Sequence, residues 1–262
     1  MNNLLSSAAL ISLTLLLSDF GYTADLTSLS PDAKVESTPD GWRFTITPYF
    51  WLAGISGNAA SMGLPEVHLD PSFGDVFQNI DFAFMAAGEA RYGRYSIVGD
   101  VIYTQLGAVA TTRHGIFADS VDVTSKTFAG LLGAGYAVLD DPTGHLDVVL
   151  GTRIWSVNNT VSFNGGLLGG REAKDGATWV DAIAGIRGNY FFTPNIYLTG
   201  WSLVGTGGAN LDWDVQAGFG YKFNDTVSAV AGYRALGVNY SNDGFIFDVI
   251  QQGPILGLTV HF

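Results

Sequence analysis

Four histidines, His68, His114, His145 and His261, are the side chains of this 262-residue sequence best suited to proton transfer. A hydrolase or acyl transferase needs such a base beside a nucleophilic hydroxyl or an acid. His114, with Arg113 and Asp119 close in sequence, is the best fragment of that kind. It falls in a loop-like stretch, as does His68, and a loop histidine is ordinarily just solvated. His145 stands beside a turn and His261 beside the C-terminus. No HExxH, GxSxG, Walker A or dinucleotide fingerprint occurs. Cysteine is absent, which excludes thiol catalysis, Cys-ligated zinc and disulfides. The expectation is a protein that is not an enzyme and holds no cofactor and no metal.

The charged residues carry more information than the histidines, because they alternate with apolar ones. In Ile80–Tyr92, Ile80, Phe82, Phe84, Ala86, Gly88, Ala90 and Tyr92 share one face, and Asp81, Glu89 and Arg91 lie on the other. The same two-residue period sets Asp100 against Ile97 and Val101. It sets Asp147 and Arg153 against Leu146, Val148, Leu150 and Ile154, and Asp181 and Arg187 against Val180 and Ile186. Asp214 and Lys222 oppose Trp213, Val215, Phe219 and Tyr221, and Arg234 opposes Tyr233. A period of two is the signature of β-strands with two different environments. If the apolar faces meet lipid, the charges must turn inward, since Arg or Lys on a lipid face costs about 2–4 kcal/mol near the midplane. Asp81, Glu89, Arg91, Asp100, Asp147, Arg153, Asp181, Arg187 and Arg234 are therefore expected to line a lumen as an ion-pair network. Arg187 is expected about opposite Trp201, within reach of a cation–π contact. The acids Glu66, Asp70, Asp75, Asp119, Glu172 and Asp175 fall in loop-like stretches and read as solvated.

Composition agrees with spread-out apolarity. Hydrophobic residues make up 47% and charged residues 14%, yet outside the N-terminus no run reaches the roughly 18 apolar residues of a membrane helix. A net charge of −12 with no basic stripe argues against nucleic acid. Leu4–Leu17 has the length of an export signal's apolar core, although Met1-Asn2-Asn3 lacks the usual basic residue. The organisation expected is a signal peptide over 1–24, a flexible polar lead-in over 25–41 and one β-barrel over 42–262.

The barrel is expected to be all-β, antiparallel and up-and-down, with about ten transmembrane strands and eight or twelve as alternatives. Short turns near Gly93, Pro142, Pro194 and Asp225 alternate with longer connections after Ile55, Ala108, Val157, Gly205 and Tyr240. Aromatic residues gather at strand ends. Trp42, Tyr92, Tyr95, Tyr190, Phe191, Tyr221, Phe223 and Phe262 lie by the short turns or termini. Trp51, Tyr103, Trp155, Trp179, Trp213 and Tyr240 lie by the long connections. Two such rims suit the two girdles that flank an apolar band. Beyond Arg234 the phase blurs, which suggests a bulge.

The segments WRFTITPYFWLAGISG, AGEARYGRYSIVGDVIY, WVDAIAGIRGNYFF, AGFGYKF, VAGYRALGVNYSNDGF and GPILGLTVHF resemble the Gram-negative outer-membrane β-barrels known as porin-like or opacity-type proteins. Trp201 and Leu203 depart from that pattern, standing where polar lumen residues are expected. The resemblance covers nearly all of 42–262. It implies an outer-membrane location and contact with lipid and lipopolysaccharide. It also implies recognition by the barrel-assembly machinery through the alternating C-terminal face Leu256, Leu258, Val260 and Phe262. Function is expected to be structural or surface-interacting around a filled, charged lumen, with a narrow solute pore as the alternative and a hydrolase or acyltransferase as a remote third. Oligomeric state is not legible.

Overall fold

The computed structural model describes residues 41–111 and 118–262. The expected signal peptide, all of the lead-in but Gly41, and the Arg113–His114 pair lie outside the described residues. Twelve strands and one short helix follow in order: β1 (Trp42–Trp51), β2 (Gly54–Ala60), β3 (Val67–Leu69), α1 (Phe73–Gln78), β4 (Ile80–Tyr92), β5 (Tyr95–Thr111), β6 (Ser120–Asp141), β7 (Gly144–Asn164), β8 (Glu172–Phe191), β9 (Ile196–Gly207), β10 (Leu211–Lys222), β11 (Val227–Asn242) and β12 (Phe245–His261). Ten of them, β1 and β4 to β12, form a closed antiparallel ring in which β12 returns to pair with β1. Closure removes the sheet edges that a membrane would leave unsatisfied.

β1 and β2 act as one broken strand. Both pair with β12 in the same register, from Thr45↔His261 to Ile246↔Ala60. The break at Leu52–Ala53 faces Pro254, which has no N–H to give, while its carbonyl accepts from Leu52 N at 2.9 Å. Beyond Pro48 the β1–β4 ladder stops, and β2 continues outward to pair with β3 instead. The loop after β2 reaches over to β8, where Met62 N–H donates to the Asp175 carboxylate. α1 leads from this hairpin into β4. A capping box starts it: Ser72 Oγ accepts from Asp75 N, and Asp75 Oδ2 accepts from Ser72 N at 3.0 Å. The Ser72 hydroxyl, donating at 2.6 Å, and the Ser72 N–H hold the Asp75 carboxyl below the usual range.

The strands outlast the membrane on one side. A spanning strand needs about 9–11 residues, whereas β6, β7 and β8 run for 22, 21 and 20. Their outward faces change character at one level. Leu132, Leu150 and Val180 are exposed and apolar, and farther out Lys126, Asn158 and Lys174 take their places. The outer parts of β6 to β8 therefore form a largely polar sheet face standing above the apolar band, edged by the apolar outer end of β5, where Val109 is exposed. The Gly-rich stretch 158–176 is expected as a loop but is mostly strand, with a turn only over 165–171. The connection after Gly205 is the tight turn 208–210 rather than a long loop, and β11 and β12 meet in the hairpin turn that Asn242-Asp243-Gly244 predicts.

The outer aromatic rim is corrected more deeply. Tyr103 and Trp213 face outward, but Trp51, Trp155, Trp179 and Tyr240 are buried inside the barrel. They form an apolar plug with Ile102, Leu236, Val238 and Val249. Trp179 stacks on Tyr240 at 4.0 Å between ring centroids and on Trp155 at 5.9 Å. This plug explains the blurred phase beyond Arg234. No bulge occurs there: Leu236, Val238 and Tyr240 continue the inward face, opposite the small or polar Ala235, Gly237 and Asn239, so the polarity of the two faces is reversed.

Candidate functional site

The inward side chains of the ring bring two charged layers together across the lumen. The inner layer lies toward the short turns. Glu89 and Arg91, two apart on β4, both face in, and Arg91 Nε donates to Glu89 Oε1 at 2.6 Å. Arg91 Nη2 reaches across to Asp147 on β7, and Arg187 on β8 reaches back to the other oxygen of Glu89. Ser96 Oγ donates to Asp147 Oδ2 at 3.2 Å. His145 stands beside this group, with Nε2 3.9 Å from Asp147 Oδ2. Ligand atoms of Glu89, His145 and Asp147 lie within 4.8 Å of one another.

The second layer is centred on Arg234, which is 1% exposed. Its guanidinium donates to Asp214 Oδ1 at 3.0 Å and Oδ2 at 2.7 Å, to Asp100 Oδ2 at 2.6 Å and to Tyr49 Oη at 2.6 Å. Tyr49 Oη in turn donates to Asp100 Oδ1 at 2.7 Å. Arg153 divides its fork between Asp212 Oδ1 at 2.5 Å and Asp214 Oδ2 at 2.7 Å, and Trp155 Nε1 donates to Asp212 Oδ2 at 2.7 Å. These bonds join β1, β5, β7, β10 and β11. Buried ion pairs of this kind hold only when the remaining lone pairs and protons are also satisfied, and here Tyr49 and Trp155 supply the extra donors.

Several expected members stand elsewhere. Asp81 is exposed and accepts from Gln105 Nε2 at 3.2 Å rather than joining the lumen network. The register shift between Ile80 and Phe82 takes it out of the inward alternation. Lys222 pairs with Asp225 in the turn after β10. Asp181 is fully buried but has no ion-pair partner among the described residues. It accepts from Ala209 N at 2.8 Å through Oδ1, and Oδ2 has no partner there. Arg153 is directly opposite it in register, but its guanidinium is committed to Asp212 and Asp214. Arg187 does pair with Trp201 in register, yet the cation over the Trp201 ring is Arg234, at 5.0 Å. Trp201 and Leu203, the departures from the polar pattern, face inward and pack between the layers. Asp212 and Tyr49 were legible: Asp212 is two residues from the expected Asp214, and Tyr49 alternates with Pro48 and the outward Phe50.

Across both layers, Glu89, Asp100, Asp147, Asp181, Asp212 and Asp214 face Arg91, Arg153, Arg187 and Arg234, so carboxylates outnumber guanidiniums by two. Asp181 is the one left without a guanidinium contact. Asp181→Asn keeps an oxygen for Ala209 N–H and removes a buried charge. It is expected to stabilise the barrel by on the order of 1 kcal/mol or more, seen as a higher urea midpoint in lipid vesicles. A lower midpoint would show that the charge itself is needed.

A Ser–His pair also emerges. Ser228 Oγ lies 3.1 Å from His261 Nε2 and 3.0 Å from Tyr197 Oη, and Thr45 Oγ1 lies 3.4 Å from His261 Nδ1. Ser228 is 0% exposed. The arrangement joins β9, β11, β12 and β1 at the seam where the ring closes, and a substrate carbonyl has no access to the hydroxyl.

The outward face of β12 carries Leu256, Leu258, Val260 and Phe262, with Val260 half-buried and paired to Ile46 and Val227. Phe262 N donates to Phe44 O at 2.9 Å, and Phe44 N donates to Phe262 O at 3.2 Å.

A closed ring with an apolar outer belt and charged interior defines an integral β-barrel of the bacterial outer membrane, and this chain is such a protein. No family model matches the sequence, and no curated relative does. Among solved structures, the outer membrane protease OmpT of Escherichia coli is similar over 87% of this chain and 99% of its own, with a TM-score of 0.50 and 12% identity. The attachment invasion locus protein Ail of Yersinia pestis aligns over 85% of this chain and 99% of its own, at a TM-score of 0.37 and 12% identity. Neisserial surface protein A aligns over the same shares at 0.35 and 16%. At 12% identity the likeness to OmpT is one of fold.

Proposed function

We propose that this barrel is a closed outer-membrane protein whose role is structural or surface-interacting, not a pore and not a hydrolase. The observation that carries the reading is the filling of the lumen. Two ion-paired layers cross it, the Trp155–Trp179–Tyr240 stack lies beyond them, and the β2–β3 hairpin spans toward β8. Between the layers, a cavity of about 30 Å³ is bordered by Asp100, Arg187, Trp201 and Leu203. That is room for a water or two, not for a solute path. A ring of this size is only slightly wider than the eight-strand barrels whose interiors side chains fill. The polar sheet face formed by the outer parts of β6 to β8 is then the surface offered to partners outside the membrane. Buried Ser228 makes the seam pair a structural tie, which favours a non-enzymatic role.

Purified protein in planar lipid bilayers is expected to give no large, stable conductance. Steady openings on the nanosiemens scale would make the pore reading primary.

A further inference from the structure

We propose that Glu89, His145 and Asp147 form a binding site for one divalent transition-metal ion at the inner end of the lumen. The three ligand atoms already lie within 4.8 Å of one another on two strands, β4 and β7. A rigid sheet places them there, so little ordering remains to be done on binding. Two features set this cluster apart from an ordinary ion-pair network. Asp147 is completely buried, yet its Oδ1 has no hydrogen-bond partner among the described residues. A buried carboxylate oxygen left in that state calls for a ligand or water. The imidazole of His145 is mostly covered, and its Nε2 approaches Asp147 at 3.9 Å, too far for a hydrogen bond.

The arginines support the site rather than fill it. Arg91 and Arg187 take one lone pair on each Glu89 oxygen, and Arg91 and Ser96 engage Asp147 Oδ2. Each carboxylate oxygen has a second lone pair, and metal-bound carboxylates are commonly held by such outer donors. Arg91 Nη1 is also buried without a partner among the described residues, and a water on the ion would accept from it. Within the site the two carboxylates are matched by two arginines, so it carries no excess positive charge to repel a cation. One imidazole nitrogen and two carboxylates suit zinc or manganese, whereas calcium and magnesium prefer all-oxygen shells.

The test is calorimetric titration of Zn²⁺ into refolded barrel in detergent, with Ca²⁺ as the comparison ion. One Zn²⁺ per chain and no saturable Ca²⁺ binding are expected. His145→Ala is expected to weaken Zn²⁺ binding at least tenfold while the band shift on heating, which reports folding, stays normal. Asp147→Asn is the second variant, with the same expected loss. His68→Ala and His261→Ala are expected to bind as the wild type does. Absence of saturable Zn²⁺ binding, or binding that survives His145→Ala unchanged, would overturn the site.

Discussion

Arg234→Met is expected to lose about 3–5 kcal/mol of stability, the cost typical of removing one partner from a buried ion pair. Arg234 is the hub of the lumen. Its guanidinium satisfies Asp100, Asp214 and Tyr49 at once and lies 5.0–5.8 Å from the ring centroids of Tyr49, Trp51 and Trp201. Methionine fills most of the stem's volume but leaves Asp100 without its only guanidinium contact among the described residues. Asp214 keeps Arg153. Against a total stability typically of 5–15 kcal/mol, the loss should show as a large fall in the urea midpoint in lipid vesicles. Tryptophan fluorescence reports it directly, because Trp51 and Trp201 adjoin the substituted side chain. The triple variant Arg234→Met, Asp100→Leu, Asp214→Leu separates charge from volume. Apolar replacement of a whole buried ion group is often neutral or stabilising, so the triple variant should recover part of the loss, with Arg153 now the group short of a partner. An Arg234→Met midpoint equal to that of the wild type would mean that the network contributes nothing to stability.

Deleting Phe262 is expected to cut the membrane-inserted, heat-modifiable fraction severely, with export unaffected. The deletion removes the reciprocal backbone bonds between Phe262 and Phe44 at the closing seam. It also removes an aromatic side chain that is 71% exposed on the outer wall, where aromatic residues anchor a barrel at the membrane interface. Phe262→Tyr keeps both the backbone pair and an interfacial ring and should assemble normally. The fraction of protein that shifts on heating, measured in washed membranes, distinguishes the two variants. Normal insertion of the deleted chain would sink the view that Leu256, Leu258, Val260 and Phe262 form an assembly signal.

The two variants draw on different levels of information. Phe262 could be singled out from the alternation of the last nine residues, because a strand's two faces are set by a local period of two. The same period assigned Glu89, Arg91, Asp100, Asp147, Arg153, Arg187 and Arg234 to the inward face, where the structure has them. Where the local period is interrupted, the reading failed. The register shift before Phe82 reset Asp81, and no property of Asp81 itself announces it.

The outer half of the lumen failed for a different reason. Alternation tells inside from outside only when the inward face is the more polar one. In β11 beyond Arg234 the polarity is reversed, with Leu236, Val238 and Tyr240 inward and Ala235, Gly237 and Asn239 outward, and Trp51, Trp155, Trp179 and Tyr240 read equally well as a lipid-facing girdle or as an internal plug. The pairing of charges was also beyond the sequence. Arg234 on β11 meets Asp100 on β5 and Tyr49 on β1, and Arg153 on β7 meets Asp212 and Asp214 on β10. None of these is a neighbouring strand pair. By itself the sequence determined the barrel, its approximate strand number, and which side chains along the inner halves of the strands face the lumen. The tertiary structure decided which acid meets which arginine and what closes the outer end. Those depend on the stagger of strands around a closed ring, a long-range quantity that no local period encodes.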